Sequence, residues 1–517
     1  MNVVTQSGTN TYHGSAFEFV RNNIINATNF FATTPDSLHQ HQYGGTFGGY
    51  VIRDKLFAFA GFQHQYTSSK SSTQNAYVPT AANLAGDWSV TDPYLAPGQA
   101  AYSTPCGPAA QLIDPITGAA LPGNKYNQPG GPALPQWNAS SLALIKQFPS
   151  IDPALDPNNC GHVSYAIPSQ QTDNEFITRV DYAINKKNNM YARYFLDSQQ
   201  IPTFYSPTNI FLTTQSGNPE IRWQTITIGK NYIFRPNIVN SIHITATRRQ
   251  LSRGFNPATP NASAFGIKDF QAVPSGIWIN IGTSGKNHGH TIGGGSNLLA
   301  TIDDNIPIDV SDDVTWIIGK HQIAFGGAFI RNQLNVNNGY ESNGDFTFNG
   351  SYSEVGSPGD ANLDLLEGAM NGFSQSKPQQ NALRGSIPTL YVQDTLHVTP
   401  RLTVTAGIRW QPLFFPVDYF KRGTTFNMAG FVANQHSSVY PNAPAGSFFH
   451  GDSGVLPAFT RNSTMQFNPS FGFSYDVTGS GKTVFRAGTA YAYAQPEFLC
   501  RAACTTESSV LRPGLAE

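Results

Sequence analysis

Short and long connections alternate along the chain, and this alternation limits its fold more than any other feature. Segments predicted as β-strands are joined first by a tight turn, such as 235–237, and then by a long irregular stretch, such as 250–307. The other tight links are predicted at 53–55, 185–189, 319–320, 399–400 and 478–482. Because two successive hairpin strands run in opposite directions, every long connection leaves the sheet at the same end.

The predicted strand 401–410 shows the two-residue period of a sheet with two different faces. Leu402, Val404 and Ile408 fall on one face, whereas Thr403 and Arg409 fall on the other. A soluble sandwich and a membrane barrel share this alternation, so the period does not separate them. Similar strands are predicted at 12–20, 43–52, 56–66, 173–184, 190–197, 222–234, 238–249, 308–318, 321–332, 387–398, 467–477 and 483–494.

Strand length and composition favour the barrel. The predicted strands have roughly nine to thirteen residues, which suits the ~9–11 residues that a tilted strand needs to cross a bilayer. Phe 35, Tyr 22, Gly 48, Pro 35 and only 12% charged residues are typical of a turn-rich β-protein. Outer-membrane barrels have short periplasmic turns and long outer loops. We therefore predict an all-β fold, an antiparallel transmembrane β-barrel with long extracellular loops at 67–172, 250–307, 333–386 and 411–466.

Charge and hydropathy exclude other classes. The net charge of -1 provides no basic field, so nucleic acid is not an expected partner. The sequence contains no run of about 18 apolar residues, so no membrane-spanning helix is predicted. The first residues, Met1 to Thr5, show no features of a signal peptide. An exported protein would therefore need a leader upstream of this sequence.

Several segments, in a fixed order, resemble the TonB-dependent receptor family of outer-membrane transporters. Residues 2–10 (NVVTQSGTN) are similar to its last plug strand, and 13–22 (HGSAFEFVRN) to its first barrel strand. The resemblance is greatest to the Oar-like branch, which carries an upstream carboxypeptidase-regulatory-like domain. Later matching segments are 29–31 (NFF), 43–49 (YGGTFGG), 54–59 (DKLFAF), 179–182 (RVDY), 316–327 (WIIGKHQIAFGG), 391–396 (YVQDTL), 402–410 (LTVTAGIRW) and 468–473 (NPSFGF).

The resemblance implies a domain division and a function. Residues 1–10 would be the end of a plug and 11–517 a partial barrel, with about 13 of 22 strands. Most of the plug, the TonB box and the last strands would be missing. The expected partners are outer-membrane lipid, an inner-membrane TonB-type complex acting through the missing N-terminal part, and a siderophore, cobalamin or oligosaccharide substrate. Catalysis and cofactors are not expected. The alternative is a secreted or cell-surface adhesion or ligand-binding protein without transport, which polar residues on both sheet faces would favour.

Candidate site residues come from the polar face and the outer loops. Arg179, Asp181, Arg249 and Arg409 are predicted to face the barrel lumen. Aromatic residues in outer loops suit either stacking against a sugar or packing of loop against loop, and packing is the more common role. These aromatic candidates are Trp88, Trp137, Phe204 and Tyr205, with the pairs 414–415 and 448–449.

The four cysteines fall in two pairs, Cys106 with Cys160 and Cys500 with Cys504. Each pair could form a disulfide in an oxidising compartment or remain as free thiols, and spacing does not decide between them. The pair Cys500 and Cys504 lacks nearby histidines at zinc-finger spacing, which disfavours a zinc site.

Three other motifs have an ordinary structural explanation beside a functional one. Residues 479–483 (GSGKT) imitate part of a phosphate-binding loop, but a strand rather than a helix is predicted to follow, which favours a hairpin turn. His288 and His290, or the acidic pairs 303–304 and 312–313, could bind a metal but are more typical of solvated charges. Residues 361–370 are predicted as a short helix within a loop.

Overall fold

The computed structural model of the chain describes residues 5–28, 36–70, 73–90, 111–214, 220–283, 286–293, 300–355, 359–458 and 461–493. In chain order the strands are β1 His13–Asn22, β2 His39–Ile52, β3 Leu56–Lys70, β4 Gln74–Tyr77, β5 His162–Tyr165, β6 Pro168–Asn185, β7 Asn188–Gln200, β8 Glu220–Arg235, β9 Ile238–Ser252, β10 Trp278–Thr283, β11 Lys286–Ile292, β12 Ala300–Ile318, β13 His321–Asn338, β14 Asp345–Phe348, β15 Gly372–Ser374, β16 Gln379–Thr399, β17 Leu402–Trp410, β18 Val417–Asp418, β19 Thr424–Phe426, β20 Ser447–Phe449, β21 Phe467–Asp476 and β22 Val484–Ala490. The helices are α1 Ala81–Leu84, α2 Ala139–Ile145, α3 Ala361–Glu367 and α4 Met428–Val432, with 3-10 turns at Pro122–Asn124, Ile210–Leu212 and Ala262–Phe265.

One large antiparallel sheet dominates the chain. Its strands pair in the order β1-β2-β3-β6-β7-β8-β9-β12-β13-β16-β17-β21-β22, with β18 added beside β16. Successive strands are joined by tight turns at one end; the turn between β12 and β13, for example, places Gly319 at a φ of 60°, which glycine tolerates best. Within the described residues β1 and β22 do not pair with each other. The prediction of a large antiparallel sheet is confirmed, and each predicted strand overlaps one of these strands.

The two faces of the large sheet differ in chemistry, as β8 and β9 show. On β8 and β9 the register pairs Ile226 with Ala246 and Ile228 with Ile244 on the outer face. Large apolar side chains on this outer face are exposed rather than stacked against a second sheet, which is the arrangement expected where lipid covers the surface. They include Ile226, Ile228, Ile244, Phe325, Phe329, Leu390, Val392, Ile408 and Phe471.

Several strands extend beyond their predicted outer ends. β12 begins at Ala300 instead of 308, β13 continues to Asn338, and β16 begins at Gln379 instead of 387. The loops predicted at 250–307 and 333–386 are correspondingly shorter. In the added residues the polarity of the two faces is reversed. Asp303 and Asn335 pair on the outer face, whereas Leu334 and Leu383 are buried on the inner face. The pairing continues, but the pattern no longer has the apolar outer face by which the strands were predicted.

The long connections fold together into a second layer, the outer cap, at the end opposite the tight turns. It comprises the connections between β3 and β6, β7 and β8, β9 and β12, and β13 and β16. A small sheet in the order β11-β10-β14-β15 joins the third of these to the fourth. Its apolar core contains Leu144, Phe211, Ile279, Phe348 and Leu365, with further members from the same connections. The predicted helix at 361–370 is α3, which ends where Gly368 adopts a left-handed conformation.

Among the helices of the described ranges, none combines the length and the apolar character that a membrane span requires.

Candidate functional site in the inner face and the outer cap

The inner face of the large sheet is polar because the residues between the outward apolar positions are largely hydroxylated or charged. Thr225 pairs with Thr247 and Thr227 with Thr245, and within each pair the hydroxyl oxygens lie 3.2 Å apart. A similar pair, Thr395 and Thr405, lies 3.3 Å apart on β16 and β17. Such cross-strand hydroxyl pairs stabilise a sheet while keeping its surface able to bind water or a polar solute.

Arg179 is the most highly connected charge on this face. Its Nε and Nη2 donate to both oxygens of Asp181 at 2.9 and 2.7 Å. Its Nη1 donates to the hydroxyl of Thr5 at 3.0 Å and to the carbonyl of Thr5 at 3.3 Å. The guanidinium also lies 4.5 Å from the ring centroid of Tyr191. Arg179 therefore fixes the N-terminal segment against the inner face, beside a cavity of about 310 Å³ that Asn231 also lines.

Close packing holds the same N-terminal segment beside β2 and β3. A side chain at Gly8 would lie 2.3 Å from the carbonyl oxygen of Gly49 and 2.5 Å from that of Ala58. Only glycine fits this close approach of backbones. Further along, Asn10 Nδ2 donates to Asp54 at 2.6 Å. The segment 5–10 is thus tied to the turn end of the sheet at several points.

Arg249 and Arg409 lie at the outer end of the inner face. The Arg249 guanidinium stacks 5.2 Å above the ring of Trp223 and lies 4.0 Å from Asp304. Arg409 pairs with Tyr391 in the register of β16 and β17, and its Nε donates to Gln411 at 3.0 Å. The two arginines are on different strands with separate contacts. All four residues predicted to face the lumen thus share the polar face, while their role in a lumen stays a prediction.

The aromatic candidates Trp88 and Trp137 pack inside the outer cap. Trp88 is 0% exposed, and its ring meets that of Trp137 edge to face with centroids 6.5 Å apart. The Trp137 indole donates to the carbonyl of Leu84 at 2.8 Å. A fully buried ring offers no face to a sugar, so the stacking hypothesis is wrong for Trp88 because its cluster covers it. That cluster contains Leu112, Leu121, Tyr126, Leu363 and Leu366.

The remaining aromatic candidates are partly buried. The Tyr205 hydroxyl donates to Gln147 at 3.0 Å, and its ring packs against the cap core. The Phe204 amide donates to the Thr214 hydroxyl at 3.1 Å. The pairs 414–415 and 448–449 are half-buried in the connection between β17 and β21. Packing of loop against loop thus accounts for the placement of Tyr205.

A buried acidic group lies inside the cap on α3. Asp360 caps the helix by accepting from the amides of Asn362 and Leu363. Asp364, one turn further on, is 0% exposed, and this burial raises its pKa to about 7. Burial also raises the pKa of the Glu367 carboxyl, which accepts a 2.5 Å hydrogen bond from the Tyr126 hydroxyl. The cap interior therefore contains carboxyl groups that ionise with difficulty.

An open cavity of about 280 Å³ lies between α2, α3 and the small sheet of the cap. Leu144, Phe348 and Met370 contribute apolar surface, while Asn138 and Lys268 contribute polar groups. Pockets of this kind, mostly apolar with few polar groups, suit small organic solutes. Sequence periodicity gave no signal for this cavity, because its walls come from loops far apart in the chain.

Cys160 lies in the cap core and is disulfide-bonded. Cys106, Cys500 and Cys504 all lie outside the described residues, so the predicted pairing stays a prediction. The bond places an oxidised cysteine in the layer that the sequence assigned to the extracellular side.

The candidate metal and nucleotide motifs have structural roles where they lie within the described residues. His290 packs with its ring centroid 4.6 Å from that of Phe211, whereas the His288 side chain lies outside the described residues. In the part of the chain that the structure describes, no group of three His, Cys, Asp or Glu converges on one point. Residues 479–483 form the β21–β22 turn, where Asp476 accepts from the amides of Gly479 and Gly481.

The acidic pairs on β12 are strand residues with partners of their own. Asp303 and Asp304 form ion pairs with Arg248 and Arg249 at 3.6 and 4.0 Å. In the second pair, Asp312 and Asp313 lie on opposite faces of the strand, because neighbouring residues alternate. Ion pairs with arginines therefore explain the first acidic pair. The two carboxylates of the second pair lie on opposite faces of the strand and not together.

The fold and its two contrasting faces define an outer-membrane β-barrel protein. The chain belongs to the family described as the outer membrane beta barrel domain, whose model matches residues 4–507. This membership confirms the predicted location in the bacterial outer membrane. No curated protein matches the sequence.

Solved structures with a similar arrangement include outer-membrane proteins of several bacteria. The outer-membrane transporter YddB from Escherichia coli has 9% identity and a TM-score of 0.43, covering 88% of this chain and 38% of YddB. A variant of the ferric enterobactin receptor PfeA from Pseudomonas aeruginosa has 10% identity and a TM-score of 0.41, covering 95% and 46%. The ferric yersiniabactin uptake receptor FyuA from Yersinia pestis has 9% identity and a TM-score of 0.35, covering 92% and 46%. This chain therefore spans less than half the length of each.

Proposed function

We propose that this chain is the barrel-forming part of a TonB-dependent outer-membrane transporter of the Oar-like branch. Residues 1–10 would end the plug, and 11–517 would form part of a barrel with long outer loops. The observation that carries the proposal is the contrast between an exposed apolar outer face and a polar inner face, with a folded cap at the outer end of the sheet. A polar path through an apolar shell suits the passage of a solute, and no catalysis is needed for it.

Recognition of the solute belongs to the cap and the outer end of the inner face. The cavity of about 280 Å³ in the cap would admit part of a siderophore, a cobalamin or an oligosaccharide. At the outer end of the inner face, Arg249 stacked on Trp223 presents a cation beside an aromatic face, a pairing that suits anionic chelates and sugars alike. Tyr391, opposite Arg409, adds a hydroxyl that donates to Asp313 at 2.5 Å.

The contact between Arg179 and Thr5 is where the plug would join the barrel. Arg179 holds Thr5 by two hydrogen bonds while Asp181 balances its charge. A force applied to the N-terminal part of the plug by an inner-membrane TonB-type complex would reach this contact last. We propose that it anchors the end of the plug while the rest of the plug moves.

The alternative, a secreted or cell-surface adhesion or ligand-binding protein without transport, would be favoured by polar residues on both faces of the sheet. The exposed apolar side chains of the outer face, such as Ile228, Leu390 and Phe471, do not meet that expectation. In water such a large apolar surface would associate. Transport is therefore the function that the geometry supports best.

Uptake by living cells tests the proposal. Labelled ferric siderophores, cobalamin and maltooligosaccharides would be offered to cells with the intact gene, to cells in which the gene is deleted, and to cells in which Arg249 or Arg248 is replaced. Arg249→Ala should lower uptake of the true substrate, whereas Arg248→Ala should not, because Arg248 lies on the opposite face and pairs with Asp303. Uptake should also stop when the inner membrane is depolarised. Equal uptake of every compound with and without the gene would refute the transport proposal.

A further inference from the structure

Two opposite charges interrupt the apolar outer face of the large sheet. Lys230 follows Ile226 and Ile228 along β8 at the same two-residue spacing, and Asp312 lies between Val310 and Val314 on β12 in the same way. Both side chains are exposed on that face. Charges facing lipid within the hydrocarbon band are costly, and the cost rises toward the middle of the bilayer.

The register places both charges in one row across three strands. Lys230 pairs with Ile242 of β9, and Ile242 pairs with Asp312 of β12. The charges therefore flank Ile242 on either side, about 10 Å apart at two strand spacings. Asn240, on the same face, donates an amide hydrogen to Asp312.

Neither charge is neutralised within the described residues. The ion pairs found there do not include Lys230 or Asp312. Lys230 lies 5.7 Å from the ring of Tyr232, which does not cancel its charge. By contrast, Asp394 on the same face is paired with His321 at 2.6 Å. Among the described residues, the row on β8–β12 thus carries two complementary charges without a counter-ion.

We propose that this row is the interface with a second copy of the chain in the outer membrane. A two-fold axis along the membrane normal and near Ile242 would bring Lys230 of each copy to Asp312 of the other. The long lysine side chain spans the height difference that strand tilt creates between the two positions. A surface that carries both charges about one centre is complementary to its own two-fold copy, as an isologous interface requires. The surrounding Ile228, Ile244 and Phe329 supply apolar contact.

Cysteine cross-linking in intact outer membranes tests the proposal with the full-length protein. Ile242→Cys lies near the proposed axis, and Ile408→Cys is the matched control, since Ile408 is an exposed apolar residue of the same face on the distant strand β17. We expect a cross-linked product of twice the chain mass from Ile242→Cys, at a yield about tenfold above that of Ile408→Cys. Equal yields, or a product whose mass shows a different protein, would overturn the proposal.

Charge exchange identifies the contact itself. In the Ile242→Cys protein, Lys230→Glu or Asp312→Lys alone should lower the yield about tenfold, and the two together should restore it, because both ion pairs are rebuilt in reverse. Glu18→Lys, which reverses an exposed charge on β1, controls for general effects. If a reversal prevents assembly, Lys230→Gln and Asp312→Asn should still lower the yield, although each removes a charge from the lipid surface. Failure of the double exchange to restore cross-linking would overturn the pairing.

Discussion

Replacing Trp88 with alanine should unfold the outer cap and leave the large sheet intact. Trp88 is completely buried and packs with Trp137 in a cluster that joins the β3–β6 connection to α3. Truncation of a buried tryptophan costs about 3–5 kcal/mol through lost burial and an unfilled cavity. This cost falls on the cap because, in the part of the chain that the structure describes, the cluster contains no residue from a strand of the large sheet.

Hydrogen exchange by mass spectrometry measures this effect region by region. If the cap opens as one unit, amides of 111–148 should exchange about two to four orders of magnitude faster in Trp88→Ala, whereas β8 and β9 should not change. Ile116→Ala is the control, since this residue of the same connection is 66% exposed and its loss should cost under about 0.5 kcal/mol. Unchanged exchange in the cap, or faster exchange throughout the sheet, would refute an independently folded cap built on Trp88.

Three further predictions concern the N-terminal segment, the cap interior and the disulfide. Arg179→Ala should raise the mobility of a spin label at Thr5, whereas Arg193→Ala should not, because Arg179 bonds to Thr5 and Arg193 to Thr227; equal mobility in both variants would contradict the anchoring role. Burial raises the pKa of Asp364 to about 7, above that of an unfolded aspartate, so the protonated form stabilises the cap. The stability of the cap should therefore fall as the pH rises from about 4 through 7. Asp364→Asn should remove most of this dependence in cap exchange between pH 5 and 8, and an unchanged pH profile would contradict it. Reduction of the disulfide at Cys160 should speed exchange at β4 and β5, which flank it, and leave β17 unaffected; a uniform response would show that the bond does not act locally.

The large sheet follows from local sequence features. The period of two along β17, the tight turn at Gly319 and the length of each strand are all properties of neighbouring residues, and they predict strands, turns and faces. The same alternation placed Arg179 and Arg409 on the polar side. Where strands extend beyond the apolar band, the outer face becomes polar and apolar residues such as Leu334 and Leu383 are buried on the inner face, so the expected pattern is lost although pairing continues.

The cap could not be predicted in this way because its contacts join distant parts of the chain. Asn362 Nδ2 donates to the carbonyl of Tyr77 at 3.1 Å, across 285 residues. The small sheet pairs Trp278 of one connection with Asp345 of another. Loop composition indicates turns but not which loops meet. The charges Lys230 and Asp312 were visible as residues, but their common row depends on a register that sequence does not supply.

Accessibility along β17 tests the central claim, an apolar face toward lipid and a polar face toward water, most directly. Spin labels would be placed singly at 403–408 in the intact outer membrane, and relaxation by oxygen, which dissolves in lipid, would be compared with relaxation by a water-soluble nickel complex. The account predicts that Val404, Ala406 and Ile408 respond to oxygen and that Thr403, Thr405 and Gly407 respond to nickel or to neither reagent. Equal exposure of all six positions to the nickel complex would contradict it.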